Sequence, residues 1–264
     1  MNTLLFDAGN SRIKWALVRN GALGPMQAAP LDDLDAMQKW LKRSRAVTAA
    51  AGVCVAGAAF ESRLKAMLKR AQLPAPEFVK SSSAAAGVSN GYRDAWRLGA
   101  DRWAAAVAAW HLAGCYRTAC AVSVGTALTI DLVDHEGHHR GGLIAPGPEM
   151  MLASLLRNTQ GIAERASRAR SGRRTVGVLA DNTRDAIEAG CLTAAAAVID
   201  RVIGQLTREL GVRPVVFLTG GGSGSLQPLL KGAIRECPEL VLRGVAALAG
   251  VPLHRRTPRV PARL

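Results

Sequence analysis

The segment Cys120-Ala-Val-Ser123-Val-Gly125-Thr126-Ala-Leu-Thr-Ile-Asp131-Leu-Val133 repeats the layout of Leu4-Leu-Phe-Asp7-Ala-Gly9-Asn10-Ser-Arg-Ile-Lys-Trp-Ala-Leu-Val18. In each, an apolar run ends in a small or acidic residue, and after one intervening position come Gly and a short polar side chain. A second apolar run follows. Short apolar runs bounded by turn residues read as buried strands, so each segment predicts a β-hairpin. Asp7-Ala8-Gly9-Asn10 lies over Ser123-Val124-Gly125-Thr126, about 116 residues downstream. Two matched hairpins imply a duplication, with residues 1–116 as one domain and 117–264 as a second of the same kind. Like domains of this sort are expected to face each other across a cleft.

The rest of the chain fits a mixed α/β layer. Residues 31–43 carry apolar side chains at helical spacing (Leu34, Met37, Leu41), residues 47–57 are apolar enough for a core strand, and residues 61–71 form an amphipathic helix. After a loop over 80–94 comes an Ala-rich helix, 101–113. Downstream, 182–210 reads as a long helix and 215–218 as a buried strand broken by Thr219-Gly220-Gly221-Gly222-Ser223. A further helix is expected near 225–234. A strand, a Gly-rich turn and a helix in succession make a nucleotide-site layout, because glycines let phosphate approach the backbone N–H groups.

Composition bounds the function. With 49% hydrophobic residues in 264, the chain can bury a core, which excludes disorder as its main state. The balance of 34 Lys+Arg against 20 Asp+Glu gives +14, which raises the question of nucleic acid. That charge concentrates in residues 157–174 (Arg157, Arg165, Arg168, Arg170, Arg173, Arg174) and in the tail (Arg255, Arg256, Arg259, Arg263). Neither stretch interleaves aromatics for base stacking, so both read as solvated basic faces and not as a nucleic-acid site. Five widely spaced cysteines (Cys54, Cys115, Cys120, Cys191, Cys237) form no C-x-x-C pair and read as reduced thiols. The N-terminus reaches Asp7 too soon for a signal peptide, and the apolar stretch 103–115 is too short for a membrane span. A cytoplasmic protein without membrane association is expected.

Each hairpin turn has groups suited to phosphate. Gly9 and Gly125 allow close approach, while Asn10, Ser11 and Thr126 supply donors. Asp7, at a strand end, suits a hydrated Mg²⁺, and Lys14 adds positive charge. Either turn alone reads equally well as a capped hairpin, but two of them with 219–223 favour phosphate. The P-loop, the G-x-G-x-x-G fingerprint, the G-x-S-x-G elbow and the H-E-x-x-H pattern are all missing from the sequence. His135, His138 and His139 flank Gly137 and read as a solvated turn, not a metal site.

In order along nearly the whole chain, Asp7-Ala-Gly-Asn-Ser-Arg-Ile-Lys14, Gly99-Ala-Asp-Arg102, Gly125-Thr-Ala-Leu-Thr-Ile-Asp131, Gly141-Gly-Leu-Ile-Ala-Pro-Gly147, Asn182-Thr-Arg-Asp-Ala-Ile-Glu-Ala-Gly190 and Thr219-Gly-Gly-Gly-Ser223 resemble the type III pantothenate kinases, a family that includes Bvg accessory factor proteins. The resemblance implies the duplicated actin-like ATPase fold of the acetate kinase, sugar kinase, Hsp70 and actin superfamily, with two similar domains around a cleft. It further implies a homodimer that phosphorylates pantothenate with ATP, the first step of coenzyme A biosynthesis. By position, Asp7, Ala8, Gly9, Asn10, Ser11, Arg12, Ile13 and Lys14 match the first ATP segment and Thr126 the second. Tyr92, Gly99, Ala100, Asp101, Arg102 and Thr183 match the pantothenate positions, with Asp101 as proton acceptor.

Read from the residues alone, Asp101 serves equally as the N-cap of the Ala-rich helix. Arg102 pairs either with the pantothenate carboxylate or with a structural acid. A base of ordinary carboxylate pKa is sufficient, since phosphoryl transfer asks mainly for positioning and charge neutralisation. Many relatives use K⁺ or NH₄⁺ held by an Asp where this chain has Ser123. A neutral hydroxyl is a poor substitute, and Asp131 is the alternative ligand. The competing reading from another class is a regulatory accessory protein that binds nucleic acid or a protein partner through its basic surface.

Overall fold

The computed structural model describes residues 2–44, 47–159, 161, 162, 164, 166, 175, 176 and 179–254. The chain begins with β1 (Asn2–Ala8) and β2 (Arg12–Arg19), an antiparallel hairpin in which Asp7 pairs with Lys14 and Ala8 with Ile13. Two short strands, β3 (Ala22–Leu23) and β4 (Gln27–Pro30), both pair with β2. Helix α1 (Leu34–Arg43), capped by the Asp33 side chain, leads to β5 (Ala49–Cys54), which lies parallel to β1. Then come α2 (Ala58–Arg70), β6 (Glu77–Phe78), a small hairpin of β7 (Ala84–Ala85) and β8 (Val88–Ser89), and α3 (Ala100–Leu112).

The second half opens with β9 (Ala119–Val124), β10 (Ala127–Val133) and β11 (His139–Pro146), followed by α4 (Pro148–Asn158). A two-residue ladder joins β12 (Thr175–Val176) to β13 (Leu179–Ala180). Helix α5 (Thr183–Leu210) starts at the Asn182 side-chain cap and stops at Gly211, whose left-handed backbone (φ 68°) suits glycine. Strand β14 (Val215–Thr219), the single turn α6 (Ser223–Leu226), β15 (Ile234–Glu236) and α7 (Leu240–Leu248) complete the chain.

The duplication read from the two hairpins is present in the strand order. One sheet runs β3-β2-β1-β5-β6 and the other β11-β10-β9-β14-β15. Each is therefore a hairpin extended by a third strand on one side and by two later strands on the other. Contacts divide the chain into two units, but not by a single cut. One unit holds residues 2–120 together with Asp131–Gly141 and the segment 239–254. The other holds Ala121–Ile130 and Gly142–Pro238.

In the first unit, strand alternation decides which side chains meet which layer. Leu4, Phe6, Ala8, Ile13, Trp15 and Leu17 enter one apolar cluster with α1 and α2. Successive side chains of a strand point to opposite faces, so Asp7 and its cross-strand neighbour Lys14 share the other face. Helix α7 packs on β1 and β5, and α3 packs on α7 and β5. Residues 102–110 of α3 are all buried, which explains an Ala-rich helix with no polar face. Its small side chains permit a close crossing: a Cβ at Gly244 of α7 would run into the Ala104 backbone.

Two expectations needed correction. The helix expected near 225–234 is only the turn α6, because Pro228 and the left-handed Gly232 (φ 80°) break the chain, which re-enters the sheet as β15. The solvated His cluster is also only partly so. His135 and His138 are exposed in the turn after β10, but His139 begins β11 and is fully buried. Of the basic run, Arg157 is exposed at the end of α4, while Arg165, Arg168, Arg170, Arg173, Arg174 and the tail arginines lie outside the described residues.

Candidate active site

The face of the first sheet that carries Asp7 and Lys14 also meets the start of α3. Asp7 is buried, and its Oδ1 has no hydrogen-bond partner among the described residues. Burial pushes its pKa up to about 6 against the pull of Lys14, and the nearby charge of Asp101 raises it further. Beyond Asp7, the turn Gly9-Asn10-Ser11 is open. Asn10 and Ser11 are exposed, and the Gly9 N–H donates to the Arg12 carbonyl at 3.0 Å, closing the hairpin.

Helix α3 supplies Asp101. The N-cap of this helix is Gly99, so Asp101 stands inside the first turn and is not the cap. Its Oδ1 accepts the Arg102 backbone N–H at 2.9 Å. Burial raises its pKa, the backbone donors of the helix start and the Arg102 charge oppose this, and Asp131 adds to the rise. A Cβ at Gly99 would come within 2.7 Å of that same Oδ1, so glycine there keeps the carboxylate in place.

Arg102 settles the choice left open by the sequence. Its guanidinium forms a two-point bond with Asp131, Nε to Oδ2 at 2.9 Å and Nη2 to Oδ1 at 2.7 Å, and both side chains are buried. Nη1 donates to the Tyr92 hydroxyl at 2.9 Å. Asp131 Oδ1 also lies 3.0 Å from His139 Nε2. The structural acid is therefore Asp131, and both of its oxygens are engaged. The sequence reading did not connect His139 to this cluster. The signal was available in principle: a His opening a strand, eight residues after an Asp on its antiparallel neighbour.

In the second unit, Ser123 is half-buried near the end of β9, and Gly125 N–H donates to Ala127 O across the turn at 3.0 Å. The Thr126 carbonyl accepts the Gly147 N–H at 2.9 Å. The Gly-rich segment closes on the same turn: Gly222 N–H donates to Val124 O at 3.0 Å, and a Cβ at Gly220 would strike the Val124 backbone. Gly220 is also left-handed (φ 102°), so its glycine is required on both counts. Thr183 is half-buried at the first position of α5. The structure thus groups Asp7, Lys14, Asp101, Arg102 and Tyr92 in one unit and Ser123, Thr126 and the 219–223 loop in the other. A separate cavity of about 290 Å³ in the first unit, lined in part by Ala108, His111, Arg243 and His254, contains none of the sequence-predicted residues.

A family model described as type III pantothenate kinase matches residues 3–205. The chain belongs to the type III pantothenate kinase family. A type III pantothenate kinase of Aromatoleum aromaticum is 36% identical over 93% of this chain and 97% of its own. One from Laribacter hongkongensis is 38% identical over 93% and 98%. Among solved structures, a Campylobacter jejuni protein described as a Baf family transcriptional activator has a TM-score of 0.53 at 19% identity, over 94% of this chain and 97% of its own. Component A of (R)-2-hydroxyglutaryl-CoA dehydratase from Acidaminococcus fermentans has 0.52 at 13%, over 94% and 96%. At such identities these two show the fold alone, which is the duplicated actin-like ATPase architecture. Family membership makes the chain an enzyme of the kinase class.

Proposed function

We propose that this type III pantothenate kinase transfers the γ-phosphoryl group of ATP to the primary hydroxyl of pantothenate, giving 4'-phosphopantothenate for coenzyme A biosynthesis. The observation that carries the reading is a buried carboxylate, Asp7, that feels the charges of Lys14 and of the half-buried Asp101, next to an open Gly-Asn-Ser turn. Two carboxylates whose pKa values burial raises in different surroundings divide naturally into a cation holder and a proton acceptor.

Asp101 accepts the proton of the attacking hydroxyl, oriented by the Arg102 N–H that already holds its Oδ1. The elevated pKa brings it closer to the working pH than a free carboxylate, which improves it as a base. Asn10, Ser11 and Arg12, with Lys14, bind the ATP phosphates from the first hairpin, where Gly9 allows close approach and Ala8 and Ile13 are the flanking backbone. Thr126 does so from the second. Tyr92, Gly99, Ala100, Arg102 and Thr183 surround pantothenate, Arg102 through the Tyr92 hydroxyl because its own fork is filled by Asp131.

The orphaned Asp7 Oδ1 fits a divalent cation, which would restore the ionised form that burial penalises. Mg²⁺ bound there supplies charge neutralisation at the ATP phosphates. A monovalent cation does not fit the donors present: Ser123 brings no charge, and the oxygens of Asp131 are committed to Arg102 and His139. No step is therefore assigned to K⁺ or NH₄⁺.

Exposed Ile144, Met150 and Leu155 on β11 and α4 support a homodimer. No helix among the described residues is long and apolar enough to cross a membrane, and the five cysteines form no disulfide. We read the enzyme as cytoplasmic. The restart of the sequence pattern supports a duplication boundary at 116/117. Purified protein should release one ADP per pantothenate consumed. ADP release that does not depend on pantothenate would overturn the reading.

A further inference from the structure

The cluster behind Arg102 contains more polar groups than an ion pair needs. Asp131 and His139 are fully enclosed, and Arg102 is nearly so. An unshielded charge at such depth is costly, and Asp131 is matched by accepting from both Arg102 and His139, while His139 Nδ1 has no hydrogen-bond partner among the described residues. An ionised carboxylate only accepts, so His139 donates through Nε2. The His139 ring lies 5.9 Å from the Tyr92 ring and 6.4 Å from that of Trp103. The backbone ties the same parts together: Ser89 N–H donates to Gly137 O at 2.9 Å, and a Cβ at Gly91 would collide with the His139 carbonyl.

The consequence falls on Tyr92. A guanidinium has donors and no acceptor, so Arg102 Nη1 occupies the Tyr92 oxygen as an acceptor. The phenolic proton must then point away from Arg102. The hydrogen bonds among the described residues give it no acceptor, and Tyr92 is only half-buried. We propose that Asp131 and His139 are positioning residues that, through Arg102, hold the Tyr92 hydroxyl as a hydrogen-bond donor to an oxygen of the acceptor substrate. This rests on the pantothenate-kinase reading above. The order is His139 to Asp131 to Arg102 to Tyr92, each link donor to acceptor or ion pair. Arg102 is also the next residue after Asp101, so the same chain of contacts sets the start of α3.

The test compares His139→Phe, which keeps a ring beside Tyr92 but loses the donor, with His139→Gln, which keeps a donor, and with Tyr92→Phe. Steady-state kinetics on the full chain would give KM for pantothenate and for ATP separately. His139→Phe should raise the pantothenate KM about tenfold with the ATP KM unchanged, the scale of one lost hydrogen bond to a bound substrate. His139→Gln should recover most of that. Tyr92→Phe should produce a similar rise, and adding His139→Phe to it should change KM less than twofold further, because both cut one chain of contacts. An unchanged pantothenate KM in His139→Phe, equal rises for both substrates, or independent multiplication in the double variant would each overturn the proposal. Should His139→Phe fail to fold, His139→Leu, which also removes the donor but in a smaller volume, gives the same cycle with Tyr92→Phe. A parent enzyme that does not turn over pantothenate at all would instead sink the functional reading on which this rests.

Discussion

The two hairpins share a strand order and a turn pattern, yet they do opposite things with charge. In the first, the strand ends in Asp7, a buried carboxylate whose Oδ1 has no hydrogen-bond partner among the described residues and which feels the charges of Lys14 and Asp101. In the second, the matching position is Ser123, and the turn is closed by glycines packed onto Val124. A duplicated fold therefore need not duplicate its chemistry. One copy keeps titratable groups in a desolvated setting, where they can take a cation or a proton. The other keeps a neutral, tightly packed backbone turn, where the fit of main-chain atoms matters most.

The largest effect that would sharpen this contrast is at Asp101. Asp101→Asn should lower kcat by about a thousandfold while thermal unfolding stays close to the parent, because the amide keeps the shape but takes no proton. A rate within tenfold of the parent would remove the base from the first unit. Next is the backbone of the second. Gly220→Ala should cost about 3 kcal/mol in denaturant unfolding, from its left-handed conformation and the collision with Val124. Gly9→Ala, whose Cβ would meet only the Arg12 carbonyl at 3.4 Å, should cost less than about 1 kcal/mol. Equal costs would break the distinction between an open turn and a packed one.

The third concerns pH. Asp7 titrates at about 6 when folded against 3.8 when free, so the folded protein holds its proton more tightly than the unfolded chain. Stability from the protonated form is fully present below pH about 4 and is lost as pH rises through about 6. The loss amounts to about 3 kcal/mol in total. Asp7→Asn should flatten that decline in metal-free protein, measured by unfolding from pH 4 to 7. An unchanged slope would show that Asp7 is not the titrating group. The smallest effect is at Ser123. The parent rate should differ less than twofold between K⁺ and Na⁺ buffers, whereas Ser123→Asp, by adding a carboxylate to the second turn, should make the rate a few-fold higher in K⁺. A strong K⁺ requirement in the parent would mean that other donors hold the cation.

Much of this was legible because it depends on local pattern. Short apolar runs bounded by turn residues gave β1, β2, β9 and β10, Asn182 marked the start of α5, and the matched turns revealed the duplication. Helix α7 went unread because its sequence, Leu240-Val-Leu-Arg-Gly-Val-Ala-Ala-Leu248, is apolar on most sides and lacks a side-chain cap. The overcalled helix after Ser223 arose from apolar spacing that Pro228 and Gly232 override. At the candidate site, Asp7, Lys14 and Asp101 were singled out by their motifs, and the structure places all three in the first unit. The contact of His139 with Asp131 was not read, because it depends on the pairing of β10 with β11 and not on neighbours in sequence.

The sequence by itself determined the repeated hairpins, since apolar runs and turn chemistry act over a few residues. Only the tertiary structure decided which charges meet. Arg102 had two candidate partners, a substrate carboxylate and a structural acid, and the fold brought it Asp131, 29 positions away. Desolvation then fixed what that meeting is worth, since a buried charge must find its counterpart wherever packing puts it.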